Sequence, residues 1–492
     1  MSNSDNDNGQ SAELPLSKEL AEFCKSDSIS VAGLREIIER HGLNNFPQRN
    51  YKFFRDACRN ERVNEGIIQC LLEYFPAAIT ATDYLGQTPL HNACRNPNVT
   101  LNIIQLLIDA APDSLRSVND NGRMPLHCLC RNKELDESAE LDMLRLLIEK
   151  CPETIRHADN YGGLPIHYAS GGKTPEFCRI LIEAYPGSER ITTSNGVLPF
   201  HQACGMNTAT TVEYLFELYP DAINHATTRG FYPIHEVFLG VKHRLNPIVA
   251  FGVVKYLLGC DPNVKLQKGG RKSLLHFACR KRYNDSNIEA GIQIIKAIYD
   301  AHPEAIEDNT IASDIQRYHQ QVQTFINTQL VYSRQAKDRL VMTTPDGNGR
   351  LPLHTALQNN VSLGSIKLLV KGNPSAIRNV DTNFAMPLHV ACQHHNSSHV
   401  VQYLVGLDIS TLDAVDRDGN TALHLACRSG KFEAIALLLE TYDAVSVSKR
   451  NAHGKLPIDL LWESNDVLDR DNVEYTGSVF RLLKAYPEAI WL

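Results

Sequence analysis

Two stretches, Thr88-Pro89-Leu90-His91-Asn92-Ala93 and Asn420-Thr421-Ala422-Leu423-His424-Leu425-Ala426, decide the reading of this chain. A hydroxyl just ahead of an apolar run marks a helix N-terminus. Pro at the first helical position loses nothing, because that N–H has no intrahelical partner. The same setting recurs at His91, His127, His167, His201, His235, His276, His354, His389 and His424, at intervals of 36, 40, 34, 34, 41, 78, 35 and 35 residues. Two more units lack the His: Phe54-Arg55-Asp56-Ala57-Cys58 upstream and Pro457-Ile458-Asp459 downstream. The chain therefore reads as about ten or eleven copies of one unit.

A second marker closes many units, as in Tyr74-Phe75-Pro76, Cys151-Pro152-Glu153-Thr154-Ile155, Tyr219-Pro220-Asp221-Ala222-Ile223, His302-Pro303-Glu304-Ala305-Ile306 and Tyr486-Pro487-Glu488-Ala489-Ile490. Between the markers lies a helical apolar run, such as Ile103-Ile104 with Leu106-Leu107. The pattern predicts a short helix, a polar turn and a second helix that the late Pro ends. Polar turns with Gly follow, as in Asp83-Tyr84-Leu85-Gly86 and Arg417-Asp418-Gly419. Such short helices cannot bury their apolar faces alone, so neighbouring units must stack. A strand-rich fold is excluded by the helical period.

Thr-Pro-Leu-His opening a unit near 33 residues resembles the ankyrin-repeat family, over roughly residues 50–492. The Tyr-Pro-Glu-Ala-Ile helix end is similar to the variety common in diatoms and related algae. The resemblance implies an all-α ankyrin solenoid whose β-turn fingers project from helix pairs, with the recurring His structural. Thr occupies the first motif position only at Thr88 and Thr421, with Ser273 as a third capper. Elsewhere it is Met124, Leu164, Leu198, Tyr232, Leu351, Met386 or Leu456. A lost cap costs about 1 kcal/mol; packing of the apolar replacement is expected to recover part of it.

The expected organisation is a disordered polar tail at 1–17, a helical cap at 18–45, repeats at 46–307, a helical insertion at 308–343 and repeats at 344–492. The insertion is inferred from Ile311, Ile315, Tyr318, Val322, Phe325 and Ile326, which recur at three and four. An enlarged acidic loop is expected from Trp462 to Asn472.

With 49 Lys and Arg against 56 Asp and Glu, the net charge is -7, which disfavours nucleic acid and anionic membranes as general partners. No apolar run is long enough to span a bilayer, and the polar N-terminus lacks a signal pattern. Six of thirteen cysteines (Cys58, Cys94, Cys204, Cys279, Cys392 and Cys427) follow an Ala directly. That regularity predicts reduced thiols in small buried slots, and with it a cytoplasmic or nuclear protein. Nine copies of one His argue for structure rather than catalysis. His394, His395 and His399 with Cys392 are the densest donor cluster, but they fall in an inter-helix turn. No phosphate loop or hydrolase elbow is present, so no enzymatic activity, metal or cofactor is expected.

The function expected is a protein-protein interaction scaffold or adaptor, monomeric alone, working through a concave groove. The alternative is a non-catalytic regulatory subunit of an enzyme complex. Finger residues that the turn does not require are the candidate contacts: Tyr84, Asp120, Tyr161, Asn195, Arg229, Phe384, Arg417 and His453. The run Lys265 to Arg282 holds seven basic residues and no acid, so Lys268, Arg271 and Lys272 are candidates for docking an acidic segment of a protein partner.

Overall fold

In the computed structural model each expected period is a pair of helices. The described residues are 16–42, 51–239, 246–261, 263–270, 272–441, 447–464 and 473–487. Residues 1–15 of the expected tail, 43–45 of the expected cap, Arg271 and 465–472 of the expected acidic loop lie outside them. The chain forms two compact units, Met1–Arg271 and Lys272–Leu492. Their fold is the all-α ankyrin-repeat solenoid expected from the sequence. Among the described residues, the only strands are Lys268–Gly269 and Lys272–Ser273, two residues each.

In the first unit the helices Leu16–Phe23 and Val31–His41 pack on each other and on the first repeat, formed by Lys52–Arg59 and Glu65–Tyr74. Leu16 and Ser17, expected in the tail, already open a helix and are buried. First helices then follow at Pro89–Ala93, Pro125–Arg131, Pro165–Ala169, Pro199–Met206 and Pro233–Leu239, each packing on the next. The second helices do the same. A contact chain between immediate neighbours is what a stack of units requires. The late Pro does more than stop the second helix: it opens a 3₁₀ turn, as at Pro76–Thr80, Pro112–Arg116 and Pro152–Arg156.

The recurring His is a structural bridge. Its Nδ1 accepts the backbone N–H of the residue before the helix, at 3.2 Å from Thr88 to His91, 3.2 Å from Met124 to His127 and 3.1 Å from Leu164 to His167. An accepting Nδ1 puts the proton on Nε2. That N–H donates to a carbonyl of the next finger: Arg123 at 2.8 Å from His91, and Gly163 at 3.2 Å from His127. Where Thr is absent, half of the reciprocal cap therefore survives, and Leu164, Leu198, Leu351 and Leu456 are buried in its place. The units without His improvise. Arg55 lies 3.7 Å from Asp83 of the next finger, and Asp459 accepts the Leu456 N–H at 2.7 Å.

Each finger turns around one side chain. Asp83 accepts from Leu85 and Gln87, both at 2.8 Å, and Asp159 from Tyr161 and Gly163. Neighbouring fingers are joined through the backbone, as from Asn160 N–H to Asn121 C=O at 3.0 Å. The glycine closing the turn has positive φ, and a Cβ at Gly122 would lie 2.7 Å from the backbone nitrogen of Asn160. Glycine meets both demands.

The second unit starts with Leu274–Arg280 and Ile288–Ala301. Over the expected insertion the chain is helical in pieces, Asn309–Asp314, Ile315–Arg317, Gln320–Lys337 and Arg339–Thr343. The chain breaks at Tyr318, a buried residue whose hydroxyl lies 3.4 Å from His276 Nδ1. Thr310 reaches the same His276 Nδ1 at 3.1 Å, and Asp308 accepts the Ser273 N–H. Elsewhere the pre-helix N–H and the His Nδ1 bond to each other; here the segment supplies a separate partner to each. Gln320–Lys337 packs on Ile288–Ala301 and on Leu363–Gly372, which also touch each other directly. Tyr299 meets Ser365 at 2.9 Å across that junction. Repeats follow at Pro352–Gln358, Pro387–His394, Ala422–Arg428 and Pro457–Glu463 with their second helices.

Every cysteine is a free thiol, and all but Cys260 are buried. Burial pushes the Cys24, Cys178 and Cys392 thiols up to about 12. Thiol titration of the native protein with Ellman's reagent should therefore label Cys260 alone at appreciable rate, the rest reacting only on unfolding. Rapid labelling of several thiols under native conditions would contradict this packing.

Candidate protein-binding surface

The turn-holding residues and the displayed residues of the fingers are different side chains. While Asp83, Asp159, Asp381 and Asp416 accept backbone N–H groups, their neighbours point outward. Tyr84 is 85 % exposed and Tyr161 54 %. Asp120, Asn195, Arg229, Arg417 and His453 are exposed as well. Phe384 is 55 % exposed and lies 5.8 Å from the Arg417 guanidinium. The fingers of each unit thus carry a row of side chains that the fold does not require.

Of the expected basic patch, Arg271 lies outside the described residues. The run from Lys265 to Arg282 crosses the division between the two units. Lys268 is exposed in the first and Lys272 half-buried in the second.

A cationic site does assemble elsewhere, in the first unit. A cleft of about 710 Å³ opens along the first-helix side of four successive repeats, lined by Arg95, Arg131, Lys133, Tyr168, Gln202 and Met206 among others. Two guanidinium groups lie near the Tyr168 ring, Arg123 at 5.0 Å and Arg131 at 5.4 Å from its centre, a cation–π arrangement. Arg123 is also paired with Asp159 at 3.1 Å. Arg131 has no carboxylate within ion-pair distance among the described residues, and Arg95 donates to the neutral Gln87 at 3.0 Å. Desolvation, then the nearby Arg123 and Arg95 charges, hold the Arg131 pKa below its ordinary value. Desolvation and Lys173 do the same to Lys133. Glu134 is the one acidic residue in the lining.

These residues were not singled out in the sequence, although a signal existed. Arg follows Cys at the same point of several units, in Cys58-Arg59, Cys94-Arg95, Cys130-Arg131, Cys279-Arg280 and Cys427-Arg428. Spread over a period of about 36 residues, such a column has no local charge density, and only stacking gathers it. Of the histidines near Cys392, His394 and His399 are exposed in the flanking helices and His395, in the turn, is structural. His395 lies 2.8 Å from the Val361 carbonyl and accepts the Ser397 N–H at 3.1 Å, the service that Asn96 performs for the Cys58 and Asn60 carbonyls. Among the described residues no helix is long and apolar enough to cross a membrane.

The family model described as ankyrin repeats (3 copies) matches residues 54–151 and 353–451. One matched segment lies in each compact unit. No curated protein matches the chain.

Proposed function

We propose that this ankyrin-repeat solenoid is a protein-interaction scaffold or adaptor without catalytic residues of its own, monomeric when alone, and that its first unit grips an acidic segment of a protein partner. The observation that carries this reading is the set of cations in the first-unit cleft, where among the described residues neither Arg95 nor Arg131 is ion-paired and Glu134 is the one acidic lining residue. Placing a carboxylate there relieves the mutual repulsion of Arg131, Arg123 and Arg95, and the forked guanidinium donors match its two oxygens. Tyr168 holds the groups in place before binding, so little side-chain freedom is lost on association. Tyr84 and Tyr161 on nearby fingers supply the aromatic contact area that favours hot spots. A net charge of -7 speaks against a nucleic acid as the occupant.

The test is fluorescence anisotropy of a labelled oligoglutamate peptide with the full chain. Binding should appear at low salt and weaken as salt rises. The Arg95→Ala, Arg131→Ala double variant should weaken it about 10- to 100-fold, and Lys268→Ala should leave it nearly unchanged. Equal binding by the double variant would remove the cleft from the reading. Mass spectrometry of partners captured by wild type but not by the double variant would then name the acidic protein.

A further inference from the structure

We propose that Phe384 and Arg417 form a separate docking point on the second unit, for an extended partner segment that carries an apolar side chain next to a carboxylate. The proposal rests on the protein-binding reading but uses other residues in the other unit.

The starting observation is a backbone one. In Asp381-Thr382-Asn383-Phe384, the Phe384 N–H bonds to the Asp381 carbonyl at 2.9 Å, as Gly122 does to Asn119 and Gly419 to Asp416. Phe384 therefore stands where other fingers carry glycine. Its φ is +56°, in the left-handed region that a bulky L-residue avoids. Glycine at this point also serves close approach, since a Cβ at Gly419 would lie 2.7 Å from the Ala452 nitrogen. A phenylalanine here is unfavourable locally, and its ring is not in the core that would explain it. Strain of this kind at an exposed residue points to a role outside the fold.

The surroundings indicate what the ring meets. The Arg417 guanidinium sits over it and donates through one nitrogen to the Thr382 carbonyl at 2.7 Å. No carboxylate pairs with Arg417 among the described residues, and its remaining donors can take one. Val380 and Val415, in the same two fingers, are exposed. An apolar side chain laid on the ring, with an acidic neighbour on Arg417, answers both features.

Random peptides displayed on phage are selected against the full chain, and the winners are titrated against variants. Peptides pairing an apolar residue with Asp or Glu should bind wild type and lose at least about 10-fold in Phe384→Gly and in Arg417→Ala. They should bind Arg95→Ala, Arg131→Ala unchanged. Phe384→Gly should meanwhile raise the Tm by about 2–4 °C, as the left-handed strain is released. Opposite effects on binding and stability distinguish a recognition residue from a packing one. The inference is overturned if Phe384→Gly lowers the Tm, if the selected peptides bind it as well as wild type, or if the ring serves only self-association of the chain. Peptides that depend solely on Arg95 and Arg131 would overturn it while leaving the interaction function standing; an absence of any binders would count against both.

Discussion

Lowering the pH from about 7 to about 5 should unfold the first unit. Its five recurring histidines, His91, His127, His167, His201 and His235, are all fully or almost fully buried. Burial, the largest cause, pushes each of them down to about 4. The bonds explain why the charged form is excluded. Nδ1 must accept a backbone N–H and therefore cannot carry a proton, and this geometry repeats at Leu198 with His201 and Tyr232 with His235, both 3.2 Å. In the unfolded chain the same imidazoles take up a proton near pH 6.5. The folded pKa is thus depressed, so the contribution is complete above about pH 6.5 and is lost as the pH falls toward 4. At pH 5 each histidine contributes about 2 kcal/mol against the fold, about 10 kcal/mol for the five together. That rivals the whole stability of an ordinary domain, about 5–15 kcal/mol. The second unit follows the same sign, since His276, His354, His389 and His424 are also held below the usual value by burial. Circular-dichroism melts across this range should show a Tm that is level above pH 7 and drops steeply below 6, with about four to five protons taken up per first unit on unfolding at pH 5. A level Tm down to pH 5 would refute the neutral, capping role of these histidines.

How much of this was legible depends on the distance over which the signal acts. Pro89-Leu90-His91 and its copies announce a helix start, because capping and proline geometry are settled within four residues. The thiols were readable for a similar reason: Ala57-Cys58 and Ala93-Cys94 report a small slot, and a slot recurring once per period is buried. The His was recognised as structural, but its second bond was not visible, since the Arg123 carbonyl that His91 meets lies 32 residues on. The apolar residues at Leu164 and Leu198 looked like lost caps; stacking buries them and the His keeps one backbone bond. The cationic cleft was the largest omission. Arg95 and Arg131 look like unrelated surface charges until their units are stacked, whereas the run from Lys265 to Arg282 is dense along the chain itself. Periodicity alone also does not show where the segment after residue 308 is interrupted: Tyr318 keeps the apolar spacing yet marks a break, because burying its ring by His276 requires the chain to turn. Finally, Phe384 read as one more exposed finger residue. Its oddity lies in φ, which is positive as at Gly122 of Asn119-Asp120-Asn121-Gly122.

Removing one partner of the buried Lys173–Glu140 pair should destabilise the first unit by about 3–5 kcal/mol, while removing both should not. Glu140 projects from the second helix Glu137–Lys150, and Lys173 from the inter-helix turn of the following repeat. Their side chains are ion-paired and almost wholly excluded from solvent. The Lys173 ammonium also lies 5.1 Å from the Phe177 ring centre. Burial nevertheless holds the Glu140 carboxyl above its ordinary value even beside an ammonium, so desolvation outweighs the attraction at this site. The pair then joins neighbouring repeats without adding net stability over an apolar contact of the same shape. Lys173→Ala leaves a buried carboxylate with no cation, and Glu140→Ala leaves the reverse, and both should shift the urea midpoint strongly down. The double variant Glu140→Leu, Lys173→Met fills the same space without charge and should return to within about 1 kcal/mol of wild type or exceed it. A coupling energy of this sign, read from the four urea titrations, identifies the pair as a register lock between two repeats. Single variants that melt like wild type, or a double variant that loses as much as the two singles combined, would place the pair in solvent rather than in the stack.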